Sequence, residues 1–271
     1  MTTSTKGFKI GFRYLSFFKL NTTTLLPDAT SASVPYEGLN YESARSMTVN
    51  VPQPRKIEHQ GDDRVESLDF LPPSSAIDAE IHVGMSNLDI VAALSGILVD
   101  NTVGTSNFIS LATDQQGLEP FVSIQAYSQA TDWPLGNRTW HWYWFPYARA
   151  IYAPAGLAET PQDILFRVAP QFITTLPWGL PLSESINGTL TGQGLEGISE
   201  GRPHLACWKA GVSTTAYAFD TAHPAYSTAS IEVYVITAGT CVKVTPGLSS
   251  VTGFTISAPA QNAIVCAWYE E

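Results

Sequence analysis

Along Asp78-Ala79-Glu80-Ile81-His82-Val83 every second residue is apolar. A strand sends successive side chains to opposite faces, so this run reads as a half-buried strand with Ala79, Ile81 and Val83 toward a core. Met47, Val49 and Val51 alternate in the same way. Further strand-like runs occupy residues 8–18, 55–60, 108–112, 120–126, 138–153, 163–174, 231–236, 240–245, 253–257 and 263–268. The 20 glycines and 18 prolines fall mostly between them, where turns need them. One segment departs from period two. Ser86 and Asp89 make a capping-box variant ahead of the stripe Leu88, Val91, Ala92 and Leu94, and Gly96 is a natural stop. The pattern predicts a mainly β fold, a sandwich or barrel with one short flanking helix over residues 86–95.

Three stretches suggest how the chain is divided. Residues 21–35, rich in Thr, Ser, Ala and Asn, have no clear period and read as a long mobile loop or extended hairpin arm. Residues 191–204 hold four glycines and read as a linker. Residues 205–271 carry only Lys209 and Lys243 as basic residues and are dense in β-branched side chains, which reads as a small accessory β module or, as the alternative, as strands that complete the main sheet. The main β domain then spans residues 1–190.

Charge narrows the function. Only 14% of the 271 residues are charged, against roughly 25% in ordinary domains, and the net charge is -10. Interface cores are depleted of charge, so such a chain suits burial against other subunits; a large all-β domain with Ser, Thr, Asn and Gln on its surface is the equal alternative. An acidic chain is a poor nucleic-acid binder, because phosphate affinity needs Lys and Arg. No apolar run reaches the roughly 18–20 residues of a membrane helix, and the polar start lacks a signal-peptide pattern. The three cysteines, Cys207, Cys241 and Cys266, form no CxxC and suggest a chain made in a reducing cytoplasm; their pairing stays open.

Motifs for chemistry are weak. Gly192-Gln-Gly-Leu-Glu-Gly197 matches a dinucleotide fingerprint and Gly197-Ile-Ser-Glu-Gly201 a hydrolase elbow, but neither has the strand-to-helix context it needs. His204, just after Pro203, reads as an exposed loop residue. The five histidines show no metal-ligand spacing, and the Asp62-Asp63 pair alone does not make a cation loop. No catalytic, cofactor or metal site is expected, and the chain is read as a non-enzyme. Trp140, Trp142 and Trp144 share one face of a strand whose other face carries His141, Tyr143 and Phe145. The simpler reading is a strand buried on both faces; the alternative is a glycan-binding platform of an adhesin.

Several of these features recur in a fixed order. They are the opening strand from Gly7 to Tyr14, the Tyr36-Glu-Gly38 turn after a variable loop, and a strand followed by Gly61-Asp62-Asp63. The Asp78–Val83 strand then runs into the helix, and Glu119-Pro120-Phe121-Val122 opens a strand ahead of the long aromatic one. Glu159-Thr-Pro-Gln-Asp163 leads into the last strand. Across residues 7–180 this order resembles the major tail (tail tube) proteins of long-tailed bacteriophages.

The resemblance implies a virion structural protein made in the host cytoplasm. Such proteins assemble into stacked, usually hexameric, rings that form a conduit for DNA ejection. It implies partners in further copies of the chain and in tape-measure, terminator and baseplate proteins. DNA is only passing cargo, and no membrane is involved. A decoration or minor tail protein is the nearest alternative. Residues 205–271 lie outside the resemblance and would be a module on the tube exterior. Thr22, Thr23, Thr24, Leu25 and Leu26 in the loop, with Asp62, Asp63 and Arg64, are the inter-subunit candidates. Between Ile57 and Asn137 there are 12 acids and one base, Arg64. A DNA conduit must not hold phosphate, so Glu58, Glu66, Asp78 and Glu80 are the lumen-facing candidates.

Overall fold

A computed structural model describes residues 7–41, 44–52, 55–61, 64–71, 77–84, 91, 94, 99–100, 108–109, 120–132, 138–153, 163–171, 178 and 194–271. In residues 7–13, 55–61, 64–71, 99–100, 108–109, 130–132 and 138–139, and in Ala153 and Leu248, the description is of the backbone alone. The strands, in chain order, begin with β1 (Gly7–Lys19), β2 (Leu39–Tyr41), β3 (Ala44–Asn50), β4 (Arg55–Gly61), β5 (Arg64–Leu71) and β6 (Asp78–Val83). Next come β7 (Val99–Asp100), β8 (Phe108–Ile109), β9 (Val122–Asp132), β10 (Arg138–Ala153), β11 (Ile164–Pro170) and β12 (Leu195–Ser199). The last are β13 (Pro203–Lys209), β14 (Ala216–Ala218), β15 (Glu232–Thr237), β16 (Thr240–Val244), β17 (Leu248–Ser250), β18 (Gly253–Thr255) and β19 (Ile264–Glu270). The fold is mainly β and antiparallel throughout, as the alternation predicts. Val91 and Leu94 are helical and buried; the other residues of the expected helix 86–95 lie outside the described residues.

Three layers stack on one another. The first is a large sheet in the order β2-β1-β9-β10-β11-β6-β3, with β12 beside β10. The second is the sheet β13-β19-β15-β16, and the third is β14-β18-β17. Period two sorts the large sheet's side chains. Leu15, Phe17, Ile81, Ile124, Phe145, Phe166 and Val168 share one core with Val91 and Leu94. On the opposite face Phe18, Tyr127, Trp142 and Trp144 pack against Leu205, Cys207, Tyr234, Cys266 and Trp268 of the second sheet. A third core, around Trp208, Tyr217, Phe254 and Val265, joins the second sheet to the third. In β10 a bulge between Phe145 and Ala148 lets Phe145 and Ala148 both face the first core while Tyr147 joins the second.

The expected linker is in part a strand. Residues 195–199 form β12, with Gly197 opposite Trp142 and Leu195 opposite Trp144 on β10. Glycine belongs here because the indole lies across the strand: a Cβ on Gly197 would stand 2.2 Å from Trp142 Cζ2. Gly197→Ala should therefore cost about 2 kcal/mol by overpacking. The check is the urea midpoint of the variant, and an unchanged midpoint would show that the indole can yield. A glycine in mid-strand also disposes of the dinucleotide and hydrolase readings, both of which need a helix to start there.

Residues 203–271 form two sheets of their own, beginning inside the expected linker 191–204, and they share a core with the large sheet. Nor does the segment 21–35 extend as a free arm. The Asn21 side chain accepts from the backbone N–H of Thr23 and of Thr24, each at 3.0 Å, and Asp28 N–H donates to Lys19 C=O at 3.0 Å. Lys209 N–H donates to Ser31 C=O at 2.9 Å, and Tyr36 bridges to Cys207. The polar side chains that made the segment look unstructured are satisfying turns.

Candidate assembly surfaces

The β4–β5 hairpin leaves the large sheet between its strands β3 and β6. It pairs from Arg55↔Leu71 to Gly61↔Arg64, and among the described residues it hydrogen-bonds to no other strand. Glu58 lies on β4 and Glu66 on β5, while Arg64 ends the pairing at the tip. Their side chains, and the whole of Asp62 and Asp63, lie outside the described residues.

Beside the hairpin, β3, β6 and β11 present an outer face that the second sheet does not cover. Asp78 is exposed and accepts from Asn50 Nδ2 at 3.2 Å. Glu80, two residues on, lies 3.7 Å from Arg167 of β11. Ala79, Ile81 and Val83 face the core, so the alternation placed both acids on the open face as expected. The face is of mixed charge, not purely acidic, because the neighbouring strand supplies Arg167. β3 also ends the sheet order, so one of its edges has no strand partner among the described residues.

In the loop, Thr22, Thr23 and Thr24 form an exposed turn. Leu25 has a positive φ of 56° and Leu26 packs against the inter-sheet core. The two leucines therefore serve the turn and this chain's own core, which leaves the threonines as the projecting part. The tryptophan platform is excluded by packing. Trp144 is enclosed by Trp178 and Trp268, with ring centroids 5.9 and 5.0 Å away, and Trp142 is buried beside it. Trp140 is half-buried, 5.9 Å from the ring of Tyr14. A sugar platform needs an open aromatic face, and the second sheet covers this one.

His204 is the main correction among the chemically active residues. It is buried within β13 rather than exposed in a loop. Its Nδ1 lies 3.3 Å from Glu271 Oε2, and its Nε2 lies 3.5 Å from Glu37 Oε2. Arg202 donates to Glu271 Oε2, and His223 Nδ1 stands 2.9 Å from Glu271 Oε1. Arg202 lies over the ring of Tyr14 at 4.4 Å, and Tyr269 Oη donates to His223 C=O at 3.0 Å.

The electrostatics of this cluster pull in opposite directions. Burial pushes the Glu271 carboxyl up, but His204, His223 and Arg202 outweigh it and hold the group well below the usual carboxylate range. Burial pushes His204 down, and the flanking Glu271 and Glu37 more than reverse this, so its pKa is raised. The possible ligand atoms of His204, His223 and Glu271 lie within 4.8 Å of one another, a spacing a metal ion could use. The side chains also balance without one: two carboxylates face Arg202 and His204, whose pKa they raise. The cluster thus works as an ionic clasp. It joins the Tyr36–Gly38 turn, the start of β13, the loop holding His223 and the end of β19. The run of apolar residues after His204, from Leu205 to Trp208, is the sequence signal for a strand buried on both faces.

Among the described residues no helix is long and apolar enough to cross a membrane. The chain matches no protein-family model, no curated protein and no solved structure.

Proposed function

We propose that this chain is a structural subunit that assembles with copies of itself, and that its assembly is the stacked-ring tail tube of a long-tailed bacteriophage. The observation that carries the reading is the β4–β5 hairpin. An isolated two-stranded ribbon is marginally stable in water, and this one has no third strand among the described residues. A neighbouring subunit supplies what it lacks. The scarcity of charge fits large permanent contacts of this kind.

In this reading Asp78 and Glu80, with Glu58 and Glu66 of the hairpin, line or border the lumen and keep DNA from adhering. Asp62, Asp63 and Arg64 at the hairpin tip, with the Thr22–Thr24 turn, meet the next subunit. The second and third sheets form an outer layer that stiffens each subunit. A decoration or minor tail protein would share the β architecture but would not form tubes.

The purified full-length protein should form rings or tubes by negative-stain microscopy, and a large oligomer by light scattering. Replacing residues 55–71 with a short Gly-Ser turn should leave a folded monomer. A full-length protein that stays monomeric at high concentration would overturn the reading, as would a hairpin-deleted protein that still forms tubes.

A further inference from the structure

Cys207 and Cys266 are direct cross-strand partners on β13 and β19, both fully buried, with their Sγ atoms 3.2 Å apart. The backbone shows which kind of pair they form. Cys207 N–H donates to Tyr36 C=O at 3.0 Å, and Cys207 C=O accepts from Tyr36 N–H at 2.7 Å. Both polar groups of a strand residue point to the same side, so Cys207 turns its hydrogen bonds toward Tyr36 and away from β19. Across β13–β19 the two cysteines therefore occupy a non-hydrogen-bonded site, where Cα atoms lie about 4.5 Å apart and side chains approach most closely. Disulfides span Cα separations of about 4.4–6.8 Å. The third cysteine is placed differently: Cys241 faces Ile236 across β15–β16.

We propose that Cys207 and Cys266 are a site of oxidative modification, closing to an intramolecular disulfide that staples the two strands carrying the ionic clasp. The oxidant is a low-molecular-weight disulfide of the oxidised-glutathione class. One cysteine thiolate attacks it and one small thiol leaves. The second cysteine sulfur then attacks the protein-bound sulfur, forms the Sγ–Sγ bond and displaces the other small thiol. Two thiol protons and two electrons leave the protein, and the small disulfide ends as two thiols. Burial first, and Cys207 second, push the Cys266 thiol well up, so the attacking thiolate is scarce in the closed fold. The bond therefore forms slowly, on local opening of β13 from β19, and is protected from reductant once made. None of this depends on the tail-tube reading.

The test uses the full-length Cys241→Ser variant, which keeps the pair and leaves the core cysteines untouched. It is held with excess oxidised glutathione just below its unfolding transition. It is then unfolded without reductant and alkylated. The expected product is a monomer lighter by two hydrogens, with no alkylatable thiol. Its unfolding midpoint should lie on the order of 10 °C above that of the reduced form and fall back when reductant is added. Free thiols, stable glutathione adducts or disulfide-linked dimers would each overturn the proposal.

Discussion

Trp144→Ala should destabilise the protein by about 4 kcal/mol, a large share of the roughly 5–15 kcal/mol that holds a domain folded. Trp144 is buried at the centre of the layer between the first and second sheets, against Trp178 and Trp268. Its Nε1 donates to Ser123 Oγ at 2.9 Å, so truncation also removes the partner of a fully buried hydroxyl. Contacts are lost on both sheets at once, because the indole comes from β10 and its neighbours include β19. The change should appear as a lower urea midpoint with little change in slope. Ile198→Ala, at a side chain 72% exposed, is the control and should shift stability by under about 0.5 kcal/mol. A Trp144 variant costing less than about 1 kcal/mol would mean the two sheets do not share this core in solution.

Glu271→Gln should cost roughly 3 kcal/mol, because it strips the buried Arg202 of its counter-charge. The same clasp gives stability a pH signature of definite sign. The Glu271 pKa is depressed in the fold, so its contribution is present above the ordinary carboxylate range and is lost as pH falls. The His204 pKa is raised, so its contribution is fully present below the ordinary imidazole value, about 6.5, and is lost as pH rises through the raised one. The clasp is therefore strongest near pH 5.5 and weakens toward pH 8.5. Overall charge pushes the same way, since the chain carries -10 at pH 7 and repels itself more as pH rises. The variant Glu37→Gln separates the two. It keeps most of the overall charge but removes one of the carboxylates facing His204, so its midpoint should fall less between pH 5.5 and pH 8.5. Equal slopes in the two proteins would assign the effect to net charge alone.

The regular strands were legible from local pattern. The pattern over residues 138–153 reads as one strand, and those residues form β10 with the same bounds. The Asp78–Val83 alternation gave both the strand and its faces. Such features need only the two-residue repeat of a strand, which is written in neighbouring residues. The misreadings share the opposite property. Residues 195–199 looked like a linker because glycine usually marks flexibility, yet Gly197 is small so that Trp142, more than fifty residues earlier, can cross it. His204 looked exposed because it follows a proline, and it is buried because Glu37 and Glu271 converge on it from distant parts of the chain. Residues 21–35 read as mobile because their partners Lys19 and Lys209 lie outside the segment.

By itself, then, the sequence determined a mainly β chain, the core-facing side of its regular strands and a surface poor in charge, all of which follow from period and composition. The tertiary structure decided which faces meet. It set the second sheet over the tryptophans, brought Cys207 to Cys266, gathered Arg202, His204 and His223 around the Glu271 carboxylate, and left the β4–β5 hairpin without a strand partner among the described residues. Those outcomes depend on contacts between residues far apart in the chain, and no local repeat encodes which distant strand a face will find.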